Sequence, residues 1–227
     1  MQKELDMKIS TEQRFFNVLL DFNLVRSHND ETIQRAAALA KQLPQYSQWP
    51  NNPNQFWNAE SLCWKSRIEK DVRLAIKNEL SHLNNGRNLD LGSGSYSYVE
   101  NSVVADFSDE MLLLNDAQHK VRTDLEKPLP FASGSFDSIT MVFVASYIKN
   151  LDQLLNESKR VLAHGGKLVI VQPSNPVIPL HKMHYKNNYG DPELGMLLKR
   201  HGFSTHITRK KADTRELIFI TAEKGLH

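Results

Sequence analysis

Apolar positions along the chain fall into two textures that change near Gly86. Residues 11–43 read as helical: Phe15, Phe16, Val18, Leu19, Leu20 and Phe22 form a dense apolar patch, and residues 32–43 are alanine-rich. A break follows over residues 44–53, where Pro44, Pro50 and Pro53 interrupt the pattern. A further helix is expected over residues 54–83, with Phe56, Trp57, Leu62, Trp64, Ile68, Val72, Leu74, Ile76 and Leu80 as its apolar positions. Asn84, Asn85 and Gly86 suit its end, because both residue types tolerate the left-handed conformation.

After Gly86 short apolar runs alternate with helical patterns, as in a parallel sheet with crossover helices. Strands are expected at 88–91, 102–107, 121–124, 138–145, 167–171, 204–208 and 217–221. The fourth is nearly continuous in apolar residues, which fits burial on both faces. Ser108 reads as an N-cap, with Asp109 and Glu110 in the first turn that follows. Residues 151–162 form an amphipathic helix ended by Gly165 and Gly166, and Asp191 with Pro192 opens another as cap and first helical residue. No repeat or low-complexity tract interrupts this order. The picture is an α/β fold with a seven-stranded, mostly parallel sheet over residues 86–227, behind a helical N-terminal extension or lid over residues 1–85.

Composition narrows the class of partner. The 227 residues are 40% hydrophobic and 24% charged, with 28 basic and 26 acidic side chains and a formal net charge of +2. Such a balance is no footprint for nucleic acid or an anionic membrane surface. No apolar run is long enough to span a bilayer, and Met1–Ser10 has no continuous apolar stretch. The single cysteine, Cys63, excludes an internal disulfide framework and a cysteine-rich zinc site, and fits a cytoplasmic location. Oligomeric state, a homodimer included, stays open.

The chemistry is carried by Leu89-Asp90-Leu91-Gly92-Ser93-Gly94-Ser95, a strand ending in a glycine turn. Glycine lets the backbone turn tightly and approach a ligand with no Cβ in the way. Asp90, just before the turn, is placed to orient it and to receive an amino group. A dinucleotide site would want a third glycine, and position 97 is Ser97. Asp106 ends the second strand, where an acid can accept both hydroxyls of a ribose. Asp124-Leu125 follows the third strand, where a carboxylate can take an adenine amino group and an apolar side chain can cover the ring.

With these residues in this order, the chain resembles the class I S-adenosylmethionine (SAM)-dependent methyltransferases, especially the small-molecule branch of the "type 11" enzymes. The resemblance runs from about Arg87 to Phe203. It rests on Leu89–Gly94, Val104–Met111, Asp124-Leu125, Leu129-Pro130-Phe131, Ser135-Phe136-Asp137 and Val161–Leu168. It implies a Rossmann-like sheet, SAM as cofactor, a small-molecule methyl acceptor and S-adenosylhomocysteine (SAH) as by-product. It also implies Gly92, Ser93 and Gly94 against the amino acid part of SAM, together with Asp90. Asp106 would then lie at the ribose, Phe107 on the adenine, Asp124 and Leu125 at its edge and face, and Val142 with them at the cofactor. The family pattern is broken in one place. Only about ten residues, 92–101, separate the first two strands, near the lower limit for a parallel crossover. The first helix is therefore truncated or replaced by a loop, and an N-terminal element is expected to cover the gap.

Ligands of open α/β sheets sit beyond the carboxyl ends of the strands. That nominates Ser146 and Tyr147, and the loop 173–190 with Ser174, Asn175, His181, His184 and Tyr185. His181 and His184, three apart, can share a helical face. They read as a structural or solvated pair, or as a base or substrate contact; a metal would need a third ligand that the spacing does not offer. Tyr147 reads as a packing aromatic or a catalytic phenol. Trp49, Trp57 and Trp64 read as core or lid packing, and Arg209, Lys210 and Lys211 as the solvated end of a hairpin. Catalytic candidates are thus Tyr147, His181 and His184, with no metal. The competing functions are an RNA or protein methyltransferase, and a non-catalytic protein of the same fold.

Overall fold

A computed structural model describes residues 9–25, 30–174, 179–212 and 215–225. Asn175 lies outside them, as do residues 26–29 within the stretch read as helical, the side chain of Phe22, and residues 1–8 of the N-terminal segment. Seven α-helices, α1 (Thr11–Val25), α2 (Asp30–Ala40), α3 (Pro53–Arg67), α4 (Lys70–Leu80), α5 (Asp109–Leu114), α6 (Leu151–Val161) and α7 (Asp191–Arg200), flank seven strands among the described residues. The strands are β1 (Asn88–Leu91), β2 (Val103–Asp106), β3 (His119–Arg122), β4 (Phe136–Val142), β5 (Leu162–Pro173), β6 (Phe203–Ala212) and β7 (Arg215–Lys224). They form one sheet in the order β3-β2-β1-β4-β5-β7-β6. The first five are parallel, and β7 runs antiparallel between β5 and β6. The expected seven-stranded, mostly parallel α/β sheet is the observed one.

Each strand contributes to both faces, because successive side chains point to opposite sides. Leu168 and Ile170 of β5, with Ile218 and Ile220 of β7, face α6 and α7 through Leu154, Leu155, Leu194 and Leu198. Their neighbours Val169, Val171, Leu217 and Phe219 face the other way, onto Ile68 and onto Val72, Ile76 and Leu80 of α4. A third cluster joins α1, α2 and α3 through Phe15, Leu19, Ala40, Trp49, Phe56 and Cys63.

Several boundaries differ from the sequence expectation, each for a local reason. The helix expected over 54–83 is two helices. Ile68 is extended (φ −99°, ψ 120°), and Arg73 donates to the carbonyls of Lys65 and Ile68, which the helix end leaves unpaired. β3 sits two residues early, its register fixed by pairing Val103 with His119, and it is an exposed edge strand. β4 ends at Val142, because Phe143 turns to φ 61°. Gly165 and Gly166 do not end α6: β5 begins directly at Leu162 and the glycines lie inside it. A Cβ on Gly166 would come within 2.9 Å of the Ala163 carbonyl. The cap of α7 is Gly190, and Asp191 is the first helical residue, paired with Arg209.

The short first crossover is a loop: among the described residues no helix intervenes between β1 and β2. Its Tyr98 and Val99 turn inward and pack with Trp64, Val72 and Ile76. Residues from the helical N-terminal segment thus cover the sheet face that a crossover helix would have covered.

Candidate active site

The glycine turn hangs on β2. The amides of Gly92 and Ser93 both donate to the Ala105 carbonyl, at 2.7 and 3.3 Å. The Asp106 carboxylate then accepts from Gly94 N and Ser108 N, each at 2.9 Å, and ties the turn to the cap of α5. Asn115 at the end of α5 donates to the Gly94 carbonyl at 2.9 Å. Gly92 and Gly94 take φ of 66° and 57°, where a side chain is strained. A Cβ on Gly92 would lie 2.6 Å from Val144, and one on Gly94 would lie 2.9 Å from the indole nitrogen of Trp64.

Behind the turn runs a buried polar ladder. Ser138 donates to Asn88, Asn88 donates to Ser102 and Thr140, and Thr140 donates to Asp90, the last at 2.9 Å. Burial pushes the Asp90 carboxyl up to about 7, against hydrogen bonds from Ser97 and Thr140; the Asp106 charge pushes it the same way. Burial also raises Asp106, opposed by the amides of Ser108, Gly94 and Phe107. Polar residues in otherwise apolar strands were the available signal for Asn88, Ser138 and Thr140, which sequence reasoning passed over.

In front of the turn lies a cavity of about 280 Å³. Gly92, Gly94, Asp106, Phe107, Asp124, Leu125 and Val142 line it, together with Tyr147 and His184. Asp90 and Ser93 do not. Asp90 is buried in the ladder, and the Ser93 hydroxyl is turned to the Gly94 carbonyl at 3.4 Å, so the structure holds Asp90 back from the ligand-facing position expected of it. Trp57, Trp64 and Phe143 complete the apolar wall, and Glu126 and Lys186 stand at its charged edge.

The segment 179–184 closes the cavity through α3. Buried Glu60 of α3 pairs with Arg67 and meets the Nε2 of His181 at 3.3 Å. Burial alone would raise the Glu60 carboxyl; Arg67 and His181 overcome it and hold it down at about 2. His181 is thereby engaged away from the cavity lining. The sequence signal for this cluster was faint: Glu60 and Arg67 stand two helical turns apart on α3. His184 packs on Phe56 with ring centres 4.2 Å apart, and its pKa is lowered, by burial first. Tyr147 packs edge-on to Trp57 at 5.0 Å and to Tyr185 at 5.1 Å; burial raises its phenol well above the ordinary range. Burial thus favours the neutral phenol. Arg209 and Lys210 are paired with Asp191, Glu216 and Glu79 rather than simply solvated. Trp49 is core, packed against Phe15 and Phe56.

A family profile described as a methyltransferase domain matches residues 87–170, which span β1 to β5. This is the class I methyltransferase fold. Solved structures agree at the level of fold. An S-adenosylmethionine-dependent methyltransferase from Mesorhizobium loti superposes with a TM-score of 0.54 at 18% identity, over 66% of this chain and 96% of that one. Phosphoethanolamine N-methyltransferase 2 of Haemonchus contortus, in complex with S-adenosyl-L-methionine, gives 0.59 at 15% identity, over 76% and 58%. Among curated proteins, the ubiquinone/menaquinone biosynthesis C-methyltransferase UbiE of Geobacter sp. is 34% identical over 116 residues, 43% of this chain. The chain spans about half the length of that relative (49%) in this match.

The methyl donor of this fold is SAM, and the residues present fit it. The turn presents bare backbone at Gly92 and Gly94 to the cavity, with Val144 and Trp64 packed where side chains would stand. Three carboxylates, Asp106, Asp124 and Glu126, face the cavity against one lysine, Lys186, which suits a cationic donor. No helix among the described residues is long and apolar enough to cross a membrane.

Proposed function

We propose that the protein transfers a methyl group from SAM to a small-molecule acceptor and releases SAH. The observation that carries this reading is the convergence, in one cavity, of Gly92, Gly94, Asp106, Phe107, Asp124, Leu125 and Val142. They come from four separate stretches of chain. In this reading Asp106 accepts the ribose hydroxyls, Phe107 and Leu125 cover the adenine, and Asp124 takes its amino group. Gly92 and Gly94 give the amino acid part its close approach. Asp90 is taken up behind the turn by Thr140 rather than touching the donor. Bound there, SAM supplies a methyl carbon on a positively charged sulfur. The chain then needs only to orient that carbon and keep water away, which can supply much of the rate.

The acceptor enters from the side of Trp57, Tyr147 and His184. Those residues, with Phe143 and Ile148, make an apolar chamber suited to a small molecule. The near-neutral charge balance argues against RNA as acceptor. The helical segment up to about residue 85 acts as the lid in this account, since Pro53, Trp57 and Trp64 reach the cavity from it. The test is calorimetric titration of the full chain with SAM and with SAH. Binding of both supports the reading; binding of neither would overturn it in favour of a non-catalytic protein of this fold.

A further inference from the structure

His184 is 4% exposed, lines the cavity, and leaves its Nε2 with no hydrogen-bond partner among the described residues. The Pro50 backbone acts on the ring as a hydrogen-bond acceptor and favours its protonated form. With the proton on Nδ1, Nε2 would present its lone pair to the cavity. Leaving a buried polar atom unpaired is costly, so an unpartnered nitrogen at a cavity wall calls for a ligand. Phe56 holds the ring from one side, and Trp57 and Tyr147 flank the chamber. Tyr147 packs edge-on against Tyr185 with its phenol kept neutral by burial, and His181 pairs with Glu60. His184 is therefore the group placed to receive a proton from an acceptor.

Resting on the methyltransferase reading, we infer that the acceptor is an apolar small molecule methylated on a hydroxyl oxygen, and that His184 Nε2 removes its proton. The hydroxyl proton passes to Nε2, giving an imidazolium. The electron pair freed on oxygen forms the bond to the methyl carbon, and the pair of the breaking carbon–sulfur bond stays on sulfur. An alcohol, the cationic donor and a neutral histidine become a methyl ether, neutral SAH and a protonated histidine. The charged groups around the ring are His181 and Lys186 on its own segment and Glu60 on α3, with Asp106, Asp124 and Glu126 lining the same cavity. Desolvation and the two cations favour the neutral base before reaction, and the carboxylates favour the imidazolium after it.

Two measurements on the full chain test this. Long-range proton–nitrogen spectra of the labelled protein, with the signal assigned by its loss in His184→Gln, report the tautomer without any turnover. A neutral ring protonated on Nδ1 at neutral pH is expected; a ring protonated on Nε2, or already charged, overturns the proposal. Methyl-labelled SAM is then offered with a panel of phenols, catechols, apolar alcohols, aromatic amines, thiols and carbon acids. Label is expected on oxygen, with kcat/KM lowered about 10²–10⁴-fold in His184→Gln and SAH affinity unchanged. Label on carbon, nitrogen or sulfur, no oxygen acceptor in the panel, or an unaffected variant each overturns it. Failure of the wild type to bind SAH would instead strike the methyltransferase reading itself.

Discussion

The Asp106 carboxylate holds two backbone amides, Gly94 and Ser108, while facing the cavity. Asp106→Asn keeps the shape and removes the charge. A hydrogen bond to a charged group contributes about 1.5–3 kcal/mol, so SAH affinity should fall roughly tenfold to a hundredfold. Unchanged affinity in a folded variant, by calorimetry, would remove Asp106 from the donor site. Gly94 is the complementary probe. With φ at 57° and Trp64 2.9 Å from a would-be Cβ, Gly94→Val should lose donor binding. Its melting temperature should fall only modestly, since the turn lies beyond the strand end. Glu60 differs from both, being a fold residue. Glu60→Ala leaves Arg67 buried without its carboxylate, a change that typically costs about 3–5 kcal/mol. Urea unfolding should show that loss; a variant within about 1 kcal/mol of wild type would contradict the pairing.

At the scale of elements, α3 and α4 stand where a longer first crossover would have packed. Ile76 of α4 is fully buried against the sheet, and Ile76→Ala should cost about 2–5 kcal/mol. Leu19 of α1, also buried, belongs to the separate helical cluster. Leu19→Ala should destabilise in the same range yet leave SAH affinity intact, whereas Ile76→Ala should weaken both. Equal effects on affinity would argue against α4 as the support of the turn. The need for such a cover was legible in the sequence, because about ten residues between β1 and β2 cannot make a full crossover helix. The strands and the glycine turn were legible too, since apolar runs and Gly92-Ser93-Gly94 are local signals. The break at Ile68 was not. Nothing in the 54–83 pattern marks it, and it is stabilised by Arg73 reaching back to two carbonyls. The two-residue displacement of β3 escaped for the same reason: its register is set by β2, a partner that no local pattern names. Of the candidate histidines, spacing alone treated His181 and His184 alike; only packing against Glu60 and Phe56 separates them.

Across the whole molecule, buried acids of opposite tendency shape the response to pH. Asp90 has a folded pKa raised to about 7, so the native state binds its proton more tightly than the unfolded chain does. Its contribution is full below about pH 4 and is lost as pH rises through about 7. Asp106 acts in the same direction. Glu60, held at about 2, does the reverse: its stabilisation is present above about pH 4.5 and lost as pH falls through about 2. Asp90→Asn should therefore gain stability relative to wild type as pH rises from about 4 to about 7. Denaturant unfolding of both proteins across that range measures it, and parallel curves would show that Asp90 is not held protonated.

The loop that replaces the first crossover helix has a practical corollary for anyone cutting the gene. A fragment starting at residue 86 would keep every strand, yet it would bare the sheet face carrying Val169, Val171, Leu217 and Phe219 to water. Such a fragment should be recovered from expression in aggregates, and grafting it onto another protein's helices should fail unless those helices reproduce the α4 face. The portable unit for chimeras begins before α3.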